Sequence, residues 1–345
     1  MKKALLIVCM LLVAASFAAA QDFAEYEQSI QQFATGVSSS LPLNAAVGLN
    51  WSNAHIGNLP HFGIGGVVGF STIPYNAIRP VLDALSLTST IESNDNFAYI
   101  KEFGAPLPAY AVEARIGGLI LPFDVGVKLG TVPPDSGVQD LVPNLNFDYF
   151  LAGIDFRLNL IQENLLLPAV SVGAGYNRLD ATIGLSGLAG GDITLSDFTD
   201  PRDDSTISIT LTDPELEYFW RANVIDLKAH ASKNLLFLTP YAGFGASIGF
   251  GEAGGALRSS LVTTPTLSEQ DIAEINELLE QQGDGTIPQL GSNGVEVTST
   301  MTDGWAFRAY GGVSFNLLLL KIDVTGMYDF VGQNYGLTLG TRVQL

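Results

Sequence analysis

Side chains capable of chemistry are few in this sequence and their spacing is unhelpful to catalysis. The three histidines, His55, His61 and His230, are too scattered for a metal site of recognised ligand spacing, and no serine, histidine and aspartate come together in a readable arrangement. The reading is therefore of a chain that is not an enzyme and carries no cofactor. Asp200, Asp203 and Asp204, with Asp197 and Asp213 nearby, offer hard oxygen ligands of the kind that hold Ca²⁺. Such runs are more often solvated loops, so no metal is assigned and the three aspartates stand as the candidate should one bind. The glycine-rich runs Gly63-Ile64-Gly65-Gly66 and Gly243-Phe244-Gly245 do not open helices, which removes a phosphate-cradling role. They suit strands whose inner face is crowded by other side chains. What remains is a set of charges, Arg115, Asp124, Lys128, Arg308, Asp323, Asp329 and Arg342, embedded in apolar surroundings.

The elements that carry these charges alternate with period two over segments of about 10 residues, the length of a membrane-spanning strand. Leu121, Phe123, Val125, Val127 and Leu129 share one face, and Asp124, Gly126 and Lys128 the other. Trp305, Phe307, Ala309, Gly311, Val313 and Phe315 oppose Arg308, Tyr310 and Ser314; Ile322, Val324, Tyr328 and Phe330 oppose Asp323, Thr325 and Asp329. The pattern recurs at 43–51, 62–70, 110–116, 147–160, 170–176, 218–231, 238–250 and 335–345. An Arg or Lys facing lipid at mid-membrane costs about 2 to 4 kcal/mol, so the charged face points inward and the apolar face to lipid. Segment 218–231 breaks step between Val224 and Ile225, where a β-bulge would restore it.

Residues opposite each other in an antiparallel hairpin point to one side. A turn centred between Leu318 and Leu319 sets Arg308 opposite Asp329 and Ser314 opposite Asp323. A turn centred between Gly332 and Gln333 sets Asp323 opposite Arg342, and one between Leu119 and Ile120 sets Arg115 opposite Asp124. These inward charges have two readings: rings that tune a pore, or internal salt bridges that fill a closed barrel. Connections near Gly118, Gln162, Lys233 and Leu318 are short, and those at 131–146, 182–216 and 251–303 are long. Eleven strands are clear; an even number brings both termini to one side, and Asn96 to Phe103 is the best twelfth. The loop containing Pro74 to Ala84, a short helix, then falls in the periplasm.

Composition places this pattern in a membrane. Residues 1–20 read as a signal peptide: Lys2 and Lys3, an apolar run, then Ala18-Ala19-Ala20. Cys9 lies within it, so the mature chain lacks cysteine and with it disulfides and thiolate chemistry. Losing both lysines takes the formal charge from -19 to -21, which disfavours nucleic acid as a partner. Charged residues are nevertheless only 15% of the chain and mean hydropathy is +0.28. A spanning helix needs about 20 apolar residues, and the best stretches, 28–78 and 234–251, are interrupted by Pro, Asn, Ser and Gly. Only helices and closed barrels satisfy their backbone in lipid.

The expected fold is all-β, a transmembrane antiparallel up-and-down barrel of about 12 strands (range 10–14) over 41–345. Segment 21–40 precedes it, with Phe23, Tyr26, Ile30 and Phe33 at helical spacing, as a periplasmic cap or as a plug threaded through the lumen. A second helix is expected in a long external loop, where Ser268 and Asp271 form a capping-box-like start before Ile272, Ile275, Leu278 and Leu279. With its terminal run Tyr335, Leu337, Leu339, Thr341, Val343, Leu345, the chain resembles outer-membrane barrels of the porin and long-chain fatty-acid-transporter kind. That resemblance implies the outer membrane of a diderm bacterium, with the barrel-insertion machinery and outer-membrane lipid as partners. It also implies passage of small solutes, apolar ones included. In those families the last residue is usually Phe; here it is Leu345. The reading of a different class is a closed structural or adhesion barrel displaying acidic external loops.

Overall fold

A computed structural model describes residues 31–345 except 33, 58–60, 85–87, 94–97, 119–121, 133–144, 186–192, 195–197 and 283–294. The expected signal peptide and most of the expected N-terminal helix lie outside the described residues. Ten strands close into one antiparallel barrel: β1 (His61–Ile73), β2 (Ala105–Gly117), β3 (Phe123–Thr131), β4 (Leu145–Ile161), β5 (Ala169–Leu185), β6 (Thr206–Ser232), β7 (Leu238–Thr264), β8 (Val295–Leu317), β9 (Leu320–Asp329) and β10 (Asn334–Gln344). Each pairs with its sequence neighbour, and β1 pairs with β10 to complete the ring. Two two-residue strands, Ile193–Thr194 and Phe198–Thr199, pair onto the far part of β6.

The two faces follow the alternation. Ile64, Val68, Val112, Val127, Leu129, Ile154, Phe156, Leu227, Phe244, Phe307, Leu337 and Leu339 lie on the outside, each roughly 40 to 70% exposed. No helix among the described residues is long and apolar enough to cross a membrane. An apolar exterior wrapped round an interior that buries paired charges inverts the order of a soluble protein, and with the closed antiparallel sheet it defines the outer-membrane β-barrel class.

Short connections gather at one end of the barrel, at 118–122, 162–168, 233–237 and 318–319. Leu345 donates its amide to Phe62 there, so both ends of the sheet start from this turn end. The opposite, loop end carries the long connections, including α2 (Tyr75–Ala84), α3 (Thr88–Ser93), α4 (Ala98–Phe103) and α5 (Glu269–Gln282).

Five expectations are corrected. Residues 43–51 are not a strand. They hold a helix, α1 (Leu41–Ala45), started by Pro42 in its first turn, and then Gly48 and Leu49 at φ +87° and +58°, which no extended strand accommodates. Residues 98–103 form α4 rather than a twelfth strand; Gly104, at φ +89°, ends it by donating its amide to Ile100 O at 2.9 Å. Hence the barrel starts at His61 and not at 41. The helix after Pro74 belongs to the loop end rather than the periplasmic turns, because one strand fewer precedes it. Finally, β6 runs through Val224 and Ile225 without a bulge in its pairing to β5 or β7. Trp220, Ala222 and Val224 face inward with Asp226, Lys228 and His230. The phase of the strand is constant and the chemistry of the interior changes.

Candidate functional site

The lumen brings charge, burial and unusual backbone together, and a segment of the chain itself occupies it. Residues 34–56 run from the loop end, where Gly36 lies against Ala77 of α2, to the turn end, where Ala54 meets Ser232. Leu41, Leu43, Ala45 and Val47 are fully buried. The loop half of the interior is apolar: Leu107, Ala109 and Ala111 of β2, Leu151 of β4, Leu179 of β5 and Trp220, Ala222 and Val224 of β6 surround this stretch. The inward apolar residues of β6 are the wall of that core.

In the turn half the threaded chain has no neighbour strand to pair with, and its backbone groups need partners. Long side chains from the wall supply them. Lys128 Nζ donates to Ala45 O at 2.6 Å and Val47 O at 2.5 Å. Glu113 accepts from the Leu49 amide at 2.5 Å and from Trp51 Nε1 at 2.6 Å. Leu49 O accepts from Arg115 at 3.1 Å and from Lys228 at 3.0 Å. Arg157 donates to Asn53 O at 2.5 Å, Asn159 to Ala54 O at 2.8 Å, and the Ala54 amide to Ser232 Oγ at 2.8 Å. Arg342 donates to Ser52 Oγ at 2.9 Å and stacks its guanidinium 4.8 Å from the Trp51 ring centre. Hydrogen bonds to charged groups contribute about 1.5 to 3 kcal/mol each, which makes this a firmly held segment.

The same charges neutralise one another. Arg115 bridges Asp124 and Asp155; Arg157 holds Asp124 at 2.6 Å and Lys228 holds Asp155 at 2.8 Å. Arg308 grips Asp226 through both guanidinium nitrogens at 2.7 and 2.8 Å, and Arg342 pairs with Asp323. His61 sits 3.3 Å from Asp124. Among the described residues six bases and six acids are buried on the inner face, so their formal charges balance.

All seven charges singled out in the sequence are buried inside the barrel. Their pairings are partly different. Arg115 and Asp124 form an ion pair although Arg115 stands opposite Gly126, and Arg342 reaches Asp323 although it stands opposite Lys321. Both turn centres are displaced by a residue, which shifts register by two and preserves the face. Arg308 does stand opposite Asp329, as Ser314 does opposite Asp323. Yet Arg308 turns away to Asp226, and the Asp329 carboxylate instead accepts the amides of Phe307 at 2.8 Å, Val331 at 3.2 Å and Gly332 at 2.9 Å. The close approach of Arg308 needs Gly245, where a Cβ would lie 2.7 Å from the guanidinium carbon.

Sequence reasoning missed Glu113, Asp155, Arg157, Asp226, Lys228 and His230. The signal was present: each lies an even number of residues from another inward residue of its own strand.

At the loop end two of the three candidate metal ligands are already engaged. Asp200 accepts from Arg202 Nε at 3.0 Å and from its Nη2 at 2.8 Å, and Asp203 accepts the Ser205 amide at 3.0 Å. The side-chain bond from Arg202 lowers the Asp200 carboxyl below its ordinary range. Among the described residues no three His, Cys, Asp or Glu converge as metal ligands. Arg202 also reaches Asp271 at 3.0 Å, tying this turn to α5. Asp271 and Ser268 exchange hydrogen bonds in a capping box, and the Ser268 hydroxyl and amide, with Arg202, hold the Asp271 carboxyl down at about 2.

No protein-family description matches the chain, and no curated protein is similar to it in sequence. Among solved structures it is similar to the outer membrane protease OmpT from Escherichia coli (9% identity, TM-score 0.38, covering 83% of this chain and 97% of that one). It is also similar to the translocator domain of the autotransporter NalP from Neisseria meningitidis (7%, 0.31, 83% and 88%) and to the transport unit of the autotransporter AIDA-I from Escherichia coli (9%, 0.28, 91% and 98%). The class assignment rests on the chain's own closed sheet and its two faces.

Proposed function

We propose that this protein is a sealed outer-membrane barrel, an anchor that displays its loop end, and not an open porin. The observation that carries the reading is the threaded segment 34–56, packed in an apolar core above and bonded to buried charges below. A solute path would have to displace it, and the wall charges that could select ions are spent on one another and on its backbone. What the sealed barrel presents is the far part of β6, β7 and β8 with α5, bearing Glu217, Glu252, Asp271 and Glu274. On this reading the protein is non-catalytic, and its partners are the membrane and whatever the acidic loop end meets. Planar-bilayer recording of the refolded mature chain tests it. The wild type is expected to stay silent, and Glu113→Ala, which frees Leu49 and Trp51, to flicker open. Steady ohmic conductance from the wild type would establish the porin reading instead.

A further inference from the structure

The turn end has a surface that neither a sealed anchor nor a porin requires. Three of its connections repeat one motif: Asn164-Leu165-Leu166-Leu167, Asn234-Leu235-Leu236-Phe237 and Asn316-Leu317-Leu318-Leu319. The fourth carries Leu119-Ile120-Leu121 in sequence. The tip residues Leu165, Leu166, Leu236 and Leu318 have no packing role, for they are 93%, 86%, 88% and 97% exposed. Turn geometry does not ask for them either. Leu236 and Leu318 adopt φ +59° and +56°, a conformation that suits Gly or Asn and penalises a branched apolar residue. A leucine held at a strained position and turned fully outward must be solvated by something apolar.

From this crown we infer that the turns themselves lie in the acyl chains of the adjoining leaflet, so that the barrel ends inside the membrane on this side. The crown is continuous with the lipid-facing wall through Leu160, Leu317, Leu320 and Leu345, with no charged ring between them. Its depth also fits. Tyr176, Tyr328 and Tyr335 lie on the outer wall towards the loop end, as interfacial aromatics do, and each is ten residues from a turn-end leucine: Leu166, Leu318 and Leu345. Seven, eight and nine of those steps lie in strand, counted from Ala169, from Leu320 and to Gln344, and at a rise of about 3.3 Å and a tilt of about 40° they climb about 18 to 23 Å of a barrel's roughly 25 Å apolar band, leaving the remainder to the turns. The band is therefore used up only at the turn tips. Lys233 does not interrupt it, because its ammonium is folded back on the carbonyls of Asn164, Leu165 and Leu167.

The test uses single cysteines, since Cys9 in the leader is the sequence's one cysteine. Bimane is attached at Leu236→Cys or Leu318→Cys, with Leu227→Cys as the mid-wall reference and Glu277→Cys as the aqueous one. The proteins are refolded into phosphatidylcholine vesicles with or without brominated chains. Turn-end bimane is expected to lose most of its fluorescence to brominated lipid, as Leu227→Cys does, and to resist iodide. Quenching by iodide alone would overturn the inference and leave the crown to a protein partner or a second copy. A second measurement guards against folding artefacts. The double variant Leu236→Asn/Leu318→Asn relieves the strained turns, so it should fold in micelles at least as well as wild type yet enter vesicles in lower yield. Unchanged vesicle yield would count against lipid contact. Both readouts are independent of whether the lumen conducts.

Discussion

Removing the guanidinium of Arg308 takes from the buried Asp226 its ion-pair partner and leaves it the Ser247 hydroxyl as hydrogen-bond donor, with Lys228 the remaining nearby cation. An uncompensated buried charge of this kind costs about 3 to 5 kcal/mol, so Arg308→Ala should lower the unfolding free energy of the micelle-refolded protein by about that amount, read as a lower urea midpoint. Asp226→Ala should do the same, and the pair should couple strongly in a double-mutant cycle. Asp329→Ala should be additive with Arg308→Ala, because its carboxylate serves backbone amides; strong coupling there would restore the pairing expected from register. This is also where the sequence was legible and where it stopped. Parity within a strand put seven charges on the inner face, and it survives a two-residue slip of register. Which acid an arginine chooses depends on rotamers and on glycines such as Gly245, and no periodicity carries that.

At the scale of the strand, Val127→Arg puts a cation on the outer wall and should reduce assembly by about 2 to 4 kcal/mol. In an open pore the neighbouring Gly126→Arg would be harmless. Here even a Cβ would stand 2.9 Å from Leu49 and 3.0 Å from Arg115, so Gly126→Arg is expected to fail as well, while Gly126→Arg combined with deletion of 34–56 should recover assembly in micelles. Refolding yields on unboiled gels separate the cases. For α5, the depressed Asp271 carboxyl supports the helix start above the ordinary carboxylate range and loses that support as pH falls from about 4 towards about 2. Amide exchange over 269–282 should accelerate in that window, and at neutral pH in Ser268→Ala. Eight of the nine connections between strands lie where the sequence places them, the exception being the one that holds α4. The threaded segment was misread as a strand because Leu43, Ala45, Val47, Leu49 and Trp51 alternate. In fact Asn44, Ala46 and Ser52 between and beside them are buried too, since a chain inside a barrel has no outer face. The outer reaches of β6, β7 and β8 were read as loops because the apolar alternation ends where lipid ends.

For the molecule as a whole, a barrel of ten strands has an interior wide enough to admit one chain, and this protein supplies that chain from its own N-terminal side. The apolar core, the charge network and Gly126 all fit that occupancy. The most direct measurement joins the segment to the wall. In a chain expressed from Gln21, which contains no cysteine, Ala54→Cys and Ser232→Cys replace residues now linked by a 2.8 Å hydrogen bond. Oxidation in intact outer membranes should produce a fast, nearly complete intramolecular cross-link, and the cross-linked protein should stay silent in planar bilayers. Failure of the pair to cross-link in membranes where Leu227→Cys and other controls show a folded barrel would mean that residues 34–56 do not fill the lumen, and the sealed-barrel account would be wrong.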